Sequence, residues 1–356
     1  MFCAKLYEQY FLGANTTNGF CGEFTNNFNN EDGWRVYILK GGAGTGKSTL
    51  LKKAAEKLSS DGHRVTVCPC SADYNSLDAI IVQDKKLIIL DGTAPHVVEP
   101  KYPGVSEIIV NLGEAFKKDG FLGNEAKIIE LCKKNSTLHS FAARYMAAAG
   151  RLINNAYLGV LSALDTGKCE SYSENLAKKY IAKKKNAQGK IWYRYLLSAS
   201  CGKVVCLSDT LNFYQKVIPI ADEFFVASST ILQRISAAAL KAGYEVICCK
   251  NPFLEPCLDA VFIPELSLAF CVKNRFYKFN TDSRIIHSER FLDSEKLKNQ
   301  RAKINFAKKS ADMLINHATS VIYQAKQVHD EIEKYYISAM DYAKLNQISD
   351  NLLEKL

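Results

Sequence analysis

Apolar residues in the first hundred positions of the chain follow two spacings, which predict strands alternating with a helix. Residues 34–40, 63–70 and 87–90 are short runs rich in aliphatic and β-branched residues, as in strands of a largely buried sheet. Between the first two runs, apolar residues recur at helical spacing, at Leu50, Leu51, Ala54, Ala55 and Leu58. This helix is expected to end near residues 59–62, where Gly62 follows the last turn.

Two later segments, 111–185 and 292–356, show long helical periodicity with few helix breakers. We expect each to form a helical arm that packs on the sheet-bearing cores. Both are rich in lysine, with clusters at 133–134, 178–179, 183–185 and 308–309. Such clusters are typical of solvated helix faces, and a surface for nucleic acid or a protein partner is the alternative.

The loop between the first predicted strand and helix, residues 41–49, reads "GGAGTGKST" and fits the pattern G-x-x-x-x-G-K-[ST]. Its glycines let the backbone N–H groups point at phosphate oxygens, and the helix that follows adds the positive end of its dipole. Lys47 is expected to reach the β- and γ-phosphates, and Ser48 to bind Mg²⁺. The predicted nucleotide-binding residues are Gly41, Gly42, Ala43, Gly44, Thr45, Gly46, Lys47, Ser48 and Thr49.

A second Mg²⁺ ligand is expected at the end of a buried strand, and Asp91 follows the aliphatic run 87–90. Asp91 is therefore the predicted metal ligand beside Ser48 and the predicted catalytic partner of Lys47. The alternative is that Asp91 only caps a turn with Gly92.

The sequence does not identify the group that would activate water, because no Glu follows Asp91. Asp73 and His96 are candidate bases, although each is more typical of an ordinary loop residue. Candidate arginine fingers in the second half of the chain are Arg194, Arg234 and Arg275, although a solubilising surface role is more typical of each.

The first half of the chain is repeated at an offset of 181 residues. With Ser48 placed on Ser229, the two copies align without a gap through residue 91, and ten of the 44 positions are identical. "LDAIIV" (77–82) falls on "LDAVFI" (258–263). This pattern indicates an internal duplication, and an unrelated second α/β domain is the weaker alternative.

The second copy has lost the residues that define the phosphate loop. Gly41, Gly46, Lys47 and Asp91 are replaced by Asp222, Ala227, Ser228 and Val272. Asp222 and Glu223 are also expected to repel phosphate at this loop. The second copy should therefore keep the fold and lack the nucleotide site.

Together these patterns predict an α/β protein of two tandem P-loop NTPase-like, three-layer modules with mostly parallel sheets, each followed by a helical arm. The first domain is expected at 1–185, with its core at about 8–110. The second is expected at 191–356, with its core at about 191–283. The segment 182–190 would link them.

Composition is consistent with this organisation, since 356 residues suffice for about two domains and a net charge of +9 suits an anionic ligand. The twelve cysteines contain no CxxC pair, which favours buried free thiols over a zinc site. Lys5 and Glu8 interrupt the N-terminal run that a signal peptide needs, and no apolar stretch reaches about 18 residues. We therefore expect a cytoplasmic protein without a membrane span.

Four segments, "YFLGANTTNGF" (10–20), "WRVYILKGGAGTGKSTL" (34–50), "LDGTAPHVVEPKYPG" (90–104) and "VFIPELSLAF" (261–270), resemble a family of uncharacterised bacterial ATPases built of two tandem P-loop modules. The resemblance runs along nearly the whole chain and implies nucleotide binding at 41–49. In other members of that family the second loop is closer to a working P-loop, so this chain departs from the family there.

The leading hypothesis is an ATP-binding P-loop NTPase that hydrolyses ATP with Mg²⁺ at 41–49 and thereby shifts its arms. A small-molecule or nucleotide kinase, with Asp73 or Asp91 holding the acceptor, is one alternative. It lacks an arginine-rich lid segment. A non-hydrolysing ATP-binding scaffold is the other, and the missing Glu after Asp91 favours it. The absence of the guanine signature NKxD favours ATP over GTP.

Overall fold

The computed structural model describes residues 3–184 and 188–356. It contains two six-stranded, mostly parallel sheets, each followed by helices, which confirms the predicted α/β class with tandem modules and helical arms. The predicted linker at 182–190 and the predicted end of the first domain include residues 185–187, which lie outside the described residues.

The first module is built on strands that belong to one sheet and one hairpin. In chain order they are β1 (Glu8–Gln9), β2 (Gly13–Thr16), β3 (Gly19–Gly22), β4 (Arg35–Lys40), β5 (Val65–Pro69), β6 (Leu77–Val82), β7 (Leu87–Asp91) and β8 (Glu107–Asn111). β2 and β3 form the hairpin, and the sheet has the order β1-β5-β6-β7-β4-β8. β6 runs antiparallel to both of its neighbours, and the other three pairings are parallel. The helices are α1 (Lys47–Ser60), α2 (Glu125–Leu161) and α3 (Thr166–Tyr180).

The second module repeats this topology strand for strand. Its strands are β9 (Lys190–Arg194), β10 (Leu197–Ser200), β11 (Lys203–Cys206), β12 (Lys216–Ala221), β13 (Glu245–Lys250), β14 (Leu258–Ile263), β15 (Leu268–Lys273) and β16 (Ile286–His287). β10 and β11 form a hairpin, and the sheet order β9-β13-β14-β15-β12-β16 matches that of the first sheet. Its helices are α4 (Val226–Lys241), α5 (Ser294–Lys298), α6 (Arg301–Ser338) and α7 (Tyr342–Leu353).

Helix α1 packs on the first sheet through the apolar face that the sequence predicts. All five predicted core positions, Leu50, Leu51, Ala54, Ala55 and Leu58, are buried in one cluster with residues of the sheet. A buried leucine contributes about 1.5–3 kcal/mol of hydrophobic free energy, so this face holds the helix in place. Its N-terminus is thereby positioned at the end of β4.

The helical arms are exchanged between the modules. α2 and α6 pack along each other, while α3 packs on α4 and α7 packs near α1. Two equivalent backbone crossings fix the exchange. At one, the Asp341 N–H donates to the Ala115 carbonyl at 2.7 Å. At the other, the Asp293 N–H donates to the Ala163 carbonyl at 2.8 Å. Each short arm helix therefore lies against the other module.

Most of the clustered arm lysines lie on exposed or half-buried helix faces. Lys308 lies 2.8 Å from Glu223 of the second module, and Lys185 lies outside the described residues. A partner surface on the arms therefore stays a prediction. Among the helices that the structure describes, none carries an apolar run long enough to cross a bilayer.

Candidate functional site

The glycine-rich loop 41–49 connects β4 to the N-terminus of α1. Gly44 and Gly46 have φ angles of 65° and 81°, in the left-handed region that favours glycine. Gly46 precedes the first helical residue and has no side chain that could cap the helix, so the first-turn N–H groups of α1 face the loop without a capping partner. This arrangement suits an oxyanion, because backbone N–H groups and the helix dipole act in the same direction.

Lys47 lies inside this loop and against the end of β7. Its Nζ donates to the carbonyl oxygens of Gly41 at 3.1 Å and Gly42 at 2.8 Å, and lies 3.6 Å from Asp91 Oδ2. The Lys47 and Asp91 side chains are only 11% and 12% exposed. The structure thus brings the two predicted catalytic residues together as a largely buried ion pair.

Ser48 and Asp91 are held at the same end of the sheet by different contacts. Ser48 Oγ accepts a hydrogen bond of 2.9 Å from the N–H of Leu77, at the start of β6. Asp91 Oδ1 accepts from the N–H of Thr93 at 2.9 Å and from its hydroxyl at 2.6 Å. Asp91 therefore does close a turn, through Thr93 rather than Gly92, while its Oδ2 faces Lys47.

Asp78, which the sequence analysis did not select, faces the same site. The register of β6 and β7 pairs Ala79 with Leu90, and this sets Asp78 opposite Asp91 on one face of the sheet. His96 Nε2 lies 3.6 Å from Asp78 Oδ2. One signal for Asp78 was present in the sequence. An aspartate occupies this position in both copies, as Asp78 and as Asp259.

His96 is enclosed between the carboxylates and an aromatic wall. Its ring packs on Phe24 at a centroid distance of 4.7 Å. Burial lowers the pKa of His96, but the contact with Asp78 and the charge of Asp91 outweigh burial, so the pKa is raised overall. Of the two candidate bases from the sequence, His96 is therefore the one whose ring faces the Asp78–Asp91 pair.

Asp73, the other candidate base, has structural partners. Its carboxylate accepts hydrogen bonds from the N–H of Asn75 at 3.2 Å and from the hydroxyl of Ser76 at 3.1 Å, which closes the turn before β6. Lys326 of α6 lies 3.5 Å from its Oδ2. Asp73 therefore anchors the arm of the second module to the first module.

The end of α6 lies directly on the glycine-rich loop. A Cβ at Gly42 would lie 2.2 Å from Cε1 of Tyr336, so only glycine permits this contact. Glu333 lies against Gly44, where an added Cβ would be 3.2 Å from the Glu333 carbonyl oxygen and 3.4 Å from its Cβ. The hydrogen bond with His329 is the largest cause that lowers the pKa of Glu333, and the Gly44 N–H lowers it further. Two arm residues of the second module, Glu333 and Tyr336, thus lie on the phosphate-binding loop of the first.

The corresponding loop of the second module contains its own carboxylate. Asp222, only 3% exposed, accepts hydrogen bonds from the N–H groups of Ser228 at 2.8 Å and Phe224 at 3.2 Å. Burial raises the pKa of the Asp222 carboxyl, and these N–H groups offset part of the rise. Phe225 aligns with Gly44 and has the same left-handed backbone conformation, with a φ of 63°. The sequence predicts that Asp222 repels phosphate, and in the structure its carboxylate accepts hydrogen bonds from the N–H groups of that loop.

The three candidate arginine fingers are paired within the second module or its interfaces. Arg194 is buried and donates to Asn27 Oδ1 at 2.8 Å. Arg234 lies 2.5 Å from Glu170 of α3. Arg275 pairs with Glu223, the residue that follows Asp222, at 2.6 Å, and with Asp312 at 2.9 Å. Arg194 and Arg234 thus join the second module to the first, and Arg275 closes the loop of the second module.

No family model, curated protein or solved structure matches this chain. The resemblance to tandem P-loop ATPases therefore stays a prediction, and the function is inferred from the geometry of the loop 41–49 and its surroundings.

Proposed function

We propose that the chain binds ATP with Mg²⁺ at residues 41–49 of the first module and hydrolyses it, with the second module as a non-binding partner. The observation that carries this proposal is the largely buried Lys47–Asp91 pair at the uncapped N-terminus of α1. The second module supports it by contrast, because Ser228 and Val272 replace this pair and Asp222 takes up the loop N–H groups.

Each residue of the site would have a distinct task. The N–H groups of 41–46 and the dipole of α1 would hold the phosphates. Lys47 would exchange its bonds to the Gly41 and Gly42 carbonyls for bonds to phosphate oxygens. Ser48 Oγ and Asp91 are the oxygens available to hold Mg²⁺, which when bound would neutralise charge on the phosphates.

The arm of the second module would respond to the nucleotide. Tyr336 and Glu333 contact the loop at Gly42 and Gly44, where phosphate oxygens would need the N–H groups. ATP would therefore displace the end of α6. Because α6 packs along α2 and continues into α7, a shift at this end would reach both modules. Nucleotide-dependent displacement of one arm is the switch that we propose.

Replacing Glu333 by alanine should tighten ATP binding by about threefold to tenfold, because a negative charge that lies beside Gly44 and would repel the phosphates is removed. The measurement is equilibrium binding of ATP to the full chain, together with phosphate release in the presence of Mg²⁺. Glu331→Ala is the matched control, since Glu331 is an exposed residue of the same helix.

Unchanged affinity in the Glu333 variant would contradict the displacement of the arm. Binding without any phosphate release would favour the nucleotide-binding scaffold over the hydrolase. Transfer of phosphate to an added small molecule, with little release to water, would favour the kinase.

A further inference from the structure

Asp78, Asp91 and His96 form a compact group at the carboxyl end of β7. Each offers one ligand atom, and these atoms all lie within 4.8 Å of one another. We propose that the three side chains bind a first-row divalent transition ion, of the Mn²⁺ class. This inference deepens the proposed function, on which it rests for the role of the ion, because Asp91 is shared with the phosphate site.

The two buried carboxylates of this group favour the binding of a cation. Asp78 and Asp91 are 5% and 9% exposed and lie opposite each other on neighbouring strands. Like charges in such a cross-strand pair are unfavourable, more so where water is excluded. Lys47 lies 3.6 Å from Asp91 and offsets one charge. If Lys47 turns to a phosphate, the two carboxylates lose that compensation, and a divalent ion between them would replace it.

The imidazole of His96 is available as a ligand. Its side chain is only 6% exposed, and its Nε2 faces Asp78 at 3.6 Å, which is longer than a hydrogen bond. Its Nδ1 has no hydrogen-bond partner among the residues that the structure describes. Buried polar nitrogens are normally paired, so an imidazole without a ring hydrogen bond indicates a missing partner, and an ion between Nε2 and the carboxylates would supply one.

The second module shows how the same position is built without a cation. Asp259 is the counterpart of Asp78, but Val272 replaces Asp91 and Tyr277 replaces His96. The Tyr277 hydroxyl donates to one oxygen of Asp259, and the Asn251 amide donates to the other at 2.7 Å. Two neutral donors thus satisfy the single buried carboxylate. The His and the second Asp are lost in the same copy that lacks Lys47, which associates the group with the intact loop.

The ligand set indicates the class of ion. Mg²⁺ prefers oxygen ligands, whereas an imidazole nitrogen beside carboxylates suits Mn²⁺, Fe²⁺, Co²⁺ or Zn²⁺. The group contains no cysteine, so soft thiolate-seeking ions are not favoured. The ion held by Asp78, Asp91 and His96 would thus share only the Asp91 ligand with the Mg²⁺ that accompanies ATP.

The test is titration of the nucleotide-free full chain with Mn²⁺, in which free Mn²⁺ is measured by electron paramagnetic resonance. We expect about one ion per chain, and at least about tenfold weaker binding in Asp78→Asn and His96→Gln. His63→Gln is the matched control, because His63 pairs with Asp84 elsewhere in the same module. His96→Tyr, which copies Tyr277, provides a second variant if His96→Gln does not fold.

Lys47→Ala separates this inference from the proposed function. It should abolish ATP binding yet hold Mn²⁺ at least as tightly, because a positive charge beside Asp91 is removed. Mn²⁺ binding without any ATP binding by the wild-type chain would overturn the proposed function and support the metal site. Absent Mn²⁺ binding, or equal binding by the wild type and both His96 variants, would overturn the metal site whatever the result with ATP.

Discussion

Replacing Lys47 by alanine is expected to lower the rate of phosphate release from Mg-ATP by at least about 100-fold. In the proposed site this ammonium is the side-chain cation directed at the β- and γ-phosphates, and removal of one preorganised charged donor typically costs a factor of this size. The rate is measured on the purified full chain at an ATP concentration that saturates the wild type.

Lys53→Ala is the control for this prediction, because Lys53 is an exposed lysine of the same helix, α1. It should release phosphate at the wild-type rate. Lys47→Ala also leaves Asp91 without its partner at 3.6 Å, so the thermal unfolding of both variants should be compared. A Lys47→Ala chain that is folded and releases phosphate at more than half the wild-type rate would place hydrolysis elsewhere.

The second large effect is expected on stability. Replacing Asp222 by alanine should lower the free energy of unfolding by about 3 kcal/mol, because it leaves the buried N–H of Ser228 and the partly buried N–H of Phe224 without their acceptor. Part of this loss is offset, because the variant no longer buries a carboxylate, whose removal from water costs free energy. Urea unfolding of the wild type and the variant measures the difference.

Asp293→Ala is a matched control for the Asp222 variant. Asp293 also accepts hydrogen bonds from two backbone N–H groups, at the start of α5, but it is exposed to solvent. Loss of such an exposed cap costs about 1 kcal/mol. An Asp222→Ala chain that is no less stable than Asp293→Ala would show that Asp222 is not a structural substitute for a bound anion.

The sequence predicts much of the fold because its signals are local. Apolar spacing locates β4, α1 and β7, and the offset of 181 places β14 (Leu258–Ile263) on β6 (Leu77–Val82) with the same bounds. The loop 41–49 is also a local motif, since its glycines and Lys47 are neighbours in the chain. These features depend on the backbone preferences of a few adjacent residues.

The rest of the site depends on contacts between distant residues. Asp78 meets Asp91 only through the register of an antiparallel strand pair, and Glu333 and Tyr336 reach the loop through the exchange of arms. Helical periodicity identifies an arm but does not say which module it packs on. Similarly, the charge of Asp222 is evident from the sequence, whereas its turn inward onto the loop N–H groups requires the folded backbone.

The measurement that tests the central claim most directly is the stoichiometry of ATP binding to the full chain in the presence of Mg²⁺, determined by isothermal titration. One ATP per chain in the wild type and none in Lys47→Ala is the predicted result. It would match an intact loop at 41–49 beside a loop closed by Asp222. Two ATP per chain, or one that persists in Lys47→Ala, would contradict the account.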